Sequence, residues 1–270
     1  MEKIRFLKRP KIRRPCLLVG WEPDAGALGG ELIDYVSQEV GAEEFCRFNP
    51  LGYFSLNAVS IEADVIEFPT STLYYSEQAN LILFRSMQPS QAQYEFLSLL
   101  LDLAEELKVK RIYTIGGLVS RTGHLGKRRV LTVFNRPELR QELSPYPLDF
   151  ISYHGSTSMS GFLLWLAKRR RLSAVSFWGE VPFYLANIED RRMVEIMLES
   201  VCQVLELQLN LSACQQRAEQ QERRIAEIRR QRPHIDEYLE RVEKGIELTE
   251  EEGLTLVREM EDSLHEPYQI

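Results

Sequence analysis

Between residues 15 and 178, short apolar runs bounded by turn residues alternate with apolar stripes at helical spacing. Few folds accept that alternation, because each strand needs a covering layer and the helix that returns the chain supplies it. Residues 16–20 are an apolar run that follows Pro15 and stops at Gly20. Residues 21–30 contain Gly26, Gly29 and Gly30, and beyond them Leu32, Ile33, Val36 and Val40 recur at helical spacing. Strand, glycine-rich turn and helix open an α/β unit. Further strands are predicted over 81–84, 111–115, 130–134 and 174–178, with a weaker one over 150–153. Ser90 and Gln93 have capping-box spacing ahead of a helix that ends near Leu107. Another helix is predicted over 158–170. Val59, Ile61, Val65 and Phe68 flank Glu62-Ala63-Asp64 in the manner of a hairpin with a polar turn. The fold class expected is α/β, with a mixed, mostly parallel sheet between two helical layers.

After Trp178 the pattern turns helical. Residues 190–209 read as one helix. Leu207, Leu211, Cys214, Ala218, Gln221, Ile225 and Ile228 then make a heptad-like seam with one polar position, Gln221. Pro233 stops it. Ile235, Tyr238, Leu239, Val242 and Ile246 form a second stripe. Thr249 and Glu252 have capping-box spacing before a third helix with Leu254, Val257, Met260 and Leu264. Residues 217–270 hold 15 acidic and 9 basic groups, whereas residues 1–14 hold seven Lys and Arg against one Glu. The organisation expected is a basic arm over 1–14, an α/β domain over 15–209 and a C-terminal helical region over 210–270. The seam needs a covering surface, and a second copy of the chain is one way to supply it.

Charge and composition exclude several classes. The chain of 270 residues has a net charge of −7, which argues against a general nucleic-acid binder. No apolar run approaches the ~18 residues of a membrane span, and no apolar stretch follows the basic start. A cytoplasmic protein is expected. Cys16, Cys46, Cys202 and Cys214 are irregularly spaced, as free thiols would be.

No signature of phosphate-loop, zinc or nucleophile-elbow chemistry is present in the sequence, and no cofactor or metal is expected. One constellation remains. Ligands of open α/β sheets bind beyond the carboxyl ends of the strands. There the predicted strands place Glu22 and Asp24; Arg85; Gly116, Gly117 and then His124; His154, Gly155 and Ser156; and Glu180. These residues make a pocket if the strands are right, and no catalytic set can be named among them. Gly, Ser and Asp at those places also suit ordinary turns. Trp165 and Trp178 read as core residues. Lys127-Arg128-Arg129 and Lys168-Arg169-Arg170-Arg171 read as solvated loop and helix-end charges, and His124 as a loop hydrogen-bonding group.

Several segments together resemble the proteasome assembly chaperone 2 family. They are Tyr153-His154-Gly155-Ser156-Thr157, the helix from Ser160 to Ala167, and Ser176-Phe177-Trp178 with Pro182 and Tyr184. Ile115-Gly116-Gly117-Leu118 with His124, and Gln88-Pro89, resemble its other motifs. The resemblance implies an α/β/α fold like that of nucleoside phosphorylases and peptide hydrolases. It implies homo-oligomers, trimers among them, and a protein partner, but no established catalytic residues. Eukaryotic members help to assemble the outer ring of the proteasome through a C-terminal hydrophobic-Tyr-any motif. This chain ends Pro267-Tyr268-Gln269-Ile270, and docking on a proteasome through those residues is not expected. Two functions follow: a chaperone-like interaction protein, or an enzyme binding a small anionic or nucleoside-type ligand at the carboxyl edge.

Overall fold

A computed structural model describes residues 3–55, 60–62, 64–152 and 157–264. The strands are β1 (Ile4–Phe6), β2 (Cys16–Glu22), β3 (Glu43–Phe48), β4 (Ser60–Glu62), β5 (Val65–Glu67), β6 (Ser71–Ser76), β7 (Leu81–Met87), β8 (Arg111–Ser120), β9 (Val130–Phe134), β10 (Asp149–Phe150) and β11 (Ala174–Pro182). The helices are α1 (Leu28–Glu39), α2 (Gln93–Glu106), α3 (Leu139–Leu143), α4 (Met159–Arg169), α5 (Arg191–Leu205), α6 (Ser212–Gln231), α7 (Pro233–Glu243) and α8 (Glu250–Leu264).

Nine strands form one mixed sheet in the order β1-β3-β6-β7-β2-β8-β11-β9-β10. Its centre, β7-β2-β8-β11, is parallel, and antiparallel strands flank it on both sides. The central strands are mostly apolar because both faces are covered. Alternate residues of β2 go to opposite cores: Leu18 belongs to the core that α1, α5, α6, α7 and α8 share, while Leu17, Val19 and Trp21 belong to the core that α2 and α4 share. The expected three-layer arrangement is therefore present. Where β2 meets α1, a Cβ on Gly20 would strike the Gly29 carbonyl, and glycine is what lets strand and helix touch.

The hairpin is β4 paired with β5 as a separate two-stranded sheet. Strands β1, β3 and β6 were not expected. In β3 the polar residues Glu43, Glu44 and Arg47 interrupt the apolar run, and β1 lies within the basic arm. The Ser90–Gln93 box does not form. The helix begins at Gln93 itself, Ser90 Oγ instead accepts from Ser55 N–H at 3.0 Å, and Gln93 donates to the Pro89 carbonyl. The Thr249–Glu252 box does form, with Thr249 N–H on Glu252 Oε2 at 2.7 Å.

The α6 seam is covered within the chain: Cys214, Ala218, Ile225 and Ile228 are buried, and α6 packs chiefly on α5. Gln221 answers α5 directly, accepting from Arg191 N–H at 3.0 Å and donating to the Glu189 carbonyl at 2.7 Å. Two tryptophan expectations change. Trp165 stands on the outer side of α4, 51% exposed, and Trp178 is half-buried. Arg128 is not solvated but lies in the core beside Asp190. All four cysteines are free.

Candidate functional site

The β2–α1 turn builds one side of a groove of about 1240 Å³ at the carboxyl edge. Glu22 ends β2, and the peptide to Pro23 is cis. Asp24 then points back under the turn. Its carboxylate accepts from Gly29 N–H at 3.2 Å and from Gly117 N–H at 2.7 Å, tying α1 to β8. Gly117 is required there, since a Cβ would collide with the Ala25 carbonyl. Burial pushes the Asp24 carboxyl up to about 7 against the pull of those two N–H groups, with the charge of Glu22 adding to the rise. Arg85, from β7, donates to Glu22 at 2.6 Å and to Asp34 of α1 at 2.7 Å. Burial also raises Asp34. Across the groove, Glu189 receives Arg217 at 2.7 Å, and burial with the nearby Glu31 raises its carboxyl.

A second cluster lies past β11. Arg128 grips Asp190 with both terminal nitrogens, at 2.6 and 3.3 Å, and its guanidinium also reaches the Glu180 carbonyl at 3.2 Å. Asp190 caps α5 through Met193 N–H at 3.1 Å. Glu180 is held by Arg129 at 2.7 and 2.5 Å. His124 donates its backbone N–H to Tyr184 Oη at 2.8 Å, so the phenol hydrogen is free to go to His124 Nδ1, also at 2.8 Å. Burial, with Arg229 and Arg128 nearby, lowers His124 to about 4, so the imidazole is neutral at pH 7.

The edge therefore divides. Glu22, Asp24 and Arg85 line the groove, with Gly117 beneath Asp24, while Gly116 lies under the Trp178 ring. Glu180 and His124 belong to the second cluster. His154, Gly155 and Ser156 lie outside the described residues. Sequence reasoning missed Asp34, Arg128 and Asp190. Asp190 had a signal, an Asp just before a helical stripe, but its partner is 62 residues away in a basic run that reads as loop. Among the described residues no group of His, Cys, Asp and Glu is placed to hold a metal, and no helix is long and apolar enough to cross a membrane.

The chain belongs to the PAC2 family, whose model it matches over residues 17–229. Solved structures share the fold. PbaB of Pyrococcus furiosus, described as an archaeal proteasome activator, is 22% identical with a TM-score of 0.73, covering 84% of this chain and 99% of its own. A proteasome-assembly chaperone homologue of Mycobacterium tuberculosis is 20% identical with a TM-score of 0.71, covering 78% of this chain and 94% of its own. A Mycobacterium tuberculosis protein of unknown function is 17% identical with a TM-score of 0.78, covering 90% of each chain. A search of curated proteins found no match.

Proposed function

We propose that this chain is a chaperone-like protein-interaction protein that self-associates in the cytoplasm and acts on a protein partner. The observation that supports it most is how the edge residues are used. Glu22, Asp24, Arg85, Glu180 and His124 each bond to their own chain, and so brace the fold. Family membership and the solved relatives support a role in protein assembly. The other reading, an enzyme for a small anionic or nucleoside-type ligand, is less well supported. In the groove Arg85 is already committed to Glu22 and Asp34, and Arg217 to Glu189, so an anion would have to displace a carboxylate.

Affinity capture from a native lysate, followed by light scattering of the purified chain, tests the proposal. A stoichiometric protein partner and a mass above 31.4 kDa are expected. A large thermal shift with a nucleoside or small anion, and no protein partner, would favour the enzyme.

A further inference from the structure

Helix α4 carries an unusual outer side. Trp165 is 51% exposed, the Phe162 ring lies 6.0 Å from it, and the Arg169 guanidinium sits 5.0 Å above it. Tryptophan and arginine together are the side chains that most often anchor protein interfaces. Further cations follow it along the chain. Lys168, Arg169 and Arg171 are exposed at the end of α4. Arg136 reaches the Arg171 carbonyl, and Lys110 donates its backbone N–H to the Pro15 carbonyl at 2.7 Å. Glu138 and Glu142 share a cleft with Lys168, and Arg170 is paired with Asp102 and Glu105 of α2, which leaves Lys168, Arg169 and Arg171 as the exposed cations of this end.

The complementary surface is on the opposite helical layer. On α8, Leu254 is 62% exposed and shares a shallow cleft with Glu250, Glu251, Thr255 and Arg258. There, one apolar side chain beside two carboxylates and Arg258 is set against one indole beside Lys168 and Arg169 on α4. At larger scale the same match holds, since residues 217–270 carry 15 acidic groups against 9 basic.

We propose that the Trp165 side of α4 docks on Glu250, Glu251 and Leu254 of α8 in a second copy of this chain. The proposal rests on the self-association reading and supplies its interface. The two surfaces are different, so the contact is head-to-tail, and copies close into a ring when the rotation between them allows. The indole and Leu254 supply the buried centre, while the charges set register and encounter rate.

Light scattering on full-length chains at micromolar concentration tests it. The wild type is expected at a multiple of 31.4 kDa. Trp165→Ser with Arg169→Glu, and separately Glu250→Lys with Leu254→Asp, should each fall to the single-chain mass with unchanged circular dichroism. Lys168→Glu with Arg169→Glu keeps the indole and should also lower the mass. Mixed together, an α4 variant and the α8 variant each retain one intact surface, so their mass should rise above that of either variant alone. Variants that keep the wild-type mass would overturn the interface while leaving self-association standing. A wild type at the single-chain mass would overturn both.

Discussion

Arg128 and Asp190 have side chains 2% and 0% exposed, and each is the other's charge partner. Removing one leaves a buried charge that water cannot reach. Arg128→Met should therefore lower unfolding free energy by about 3–5 kcal/mol, measured by denaturant titration. Arg128→Lys should not restore it, because an ammonium cannot present the two-pronged grip on Asp190. Asp24 and His124 act on stability through pH, with opposite signs. Asp24 rises from 3.8 to about 7 on folding, so the folded chain holds a proton that the unfolded chain has released. Its contribution is present below about pH 4 and is lost as pH climbs to about 7. His124 falls from 6.5 to about 4, so its contribution is present above pH 6.5 and is lost as pH drops toward 4. The two slopes oppose each other over the same window. Asp24→Asn should make stability climb more steeply with pH between 4 and 7 than in the wild type, and His124→Gln should tilt the curve the other way. Equal slopes for all three proteins in urea titrations would contradict both assignments.

Two glycines show how tightly elements meet at the edge. At Gly117 an added Cβ meets the backbone carbonyl of Ala25, which cannot move without shifting the turn before α1. At Gly30 it meets the end of the Glu22 side chain, which can swing away. Gly117→Ala should cost about 1–3 kcal/mol or more, and Gly30→Ala less, at the expense of the Glu22–Arg85 pair. Thermal melts of both variants check the order. Gln221→Leu would extend the apolar seam of α6, yet it removes the hydrogen bonds that Gln221 makes with the Arg191 N–H and the Glu189 carbonyl. A loss of about 1–3 kcal/mol is expected where sequence pattern alone favours a gain. The central strands and most helices were readable from the sequence because burial on both faces makes a run that is mostly apolar. β3 and β6 were not, because polar positions such as Glu43, Arg47 and Ser71 break the alternation that marks a half-buried strand. The Ser90–Gln93 signal failed since spacing cannot say whether the chain between the two residues is already helical. Of the candidate edge, the acidic turn and Arg85 were readable; the split between groove and second cluster was not. It depends on which way Glu180 turns, and Arg129 decides that.

At the scale of the whole molecule, the two helical layers are unequal. α1, α5, α6, α7 and α8 share one core with the sheet, while α2 and α4 cover the other face. Val194, Met197 and Val201 of α5 are buried in the core that α6 joins. A chain ending at Leu209 should therefore aggregate or lose near-ultraviolet circular dichroism. A cooperative melt in that truncation would show that the C-terminal helices are dispensable for folding. The thin layer has one more consequence, an optical one. The three tryptophans stand at three depths, with Trp21 buried, Trp178 half-buried and Trp165 open to solvent. Iodide in the buffer should quench the red edge of the emission and leave the blue part bright. Anything that settles on the outer side of α4 should shield that component and shift the spectrum to shorter wavelength. The unmodified chain thus carries its own fluorescent reporter of contact at α4.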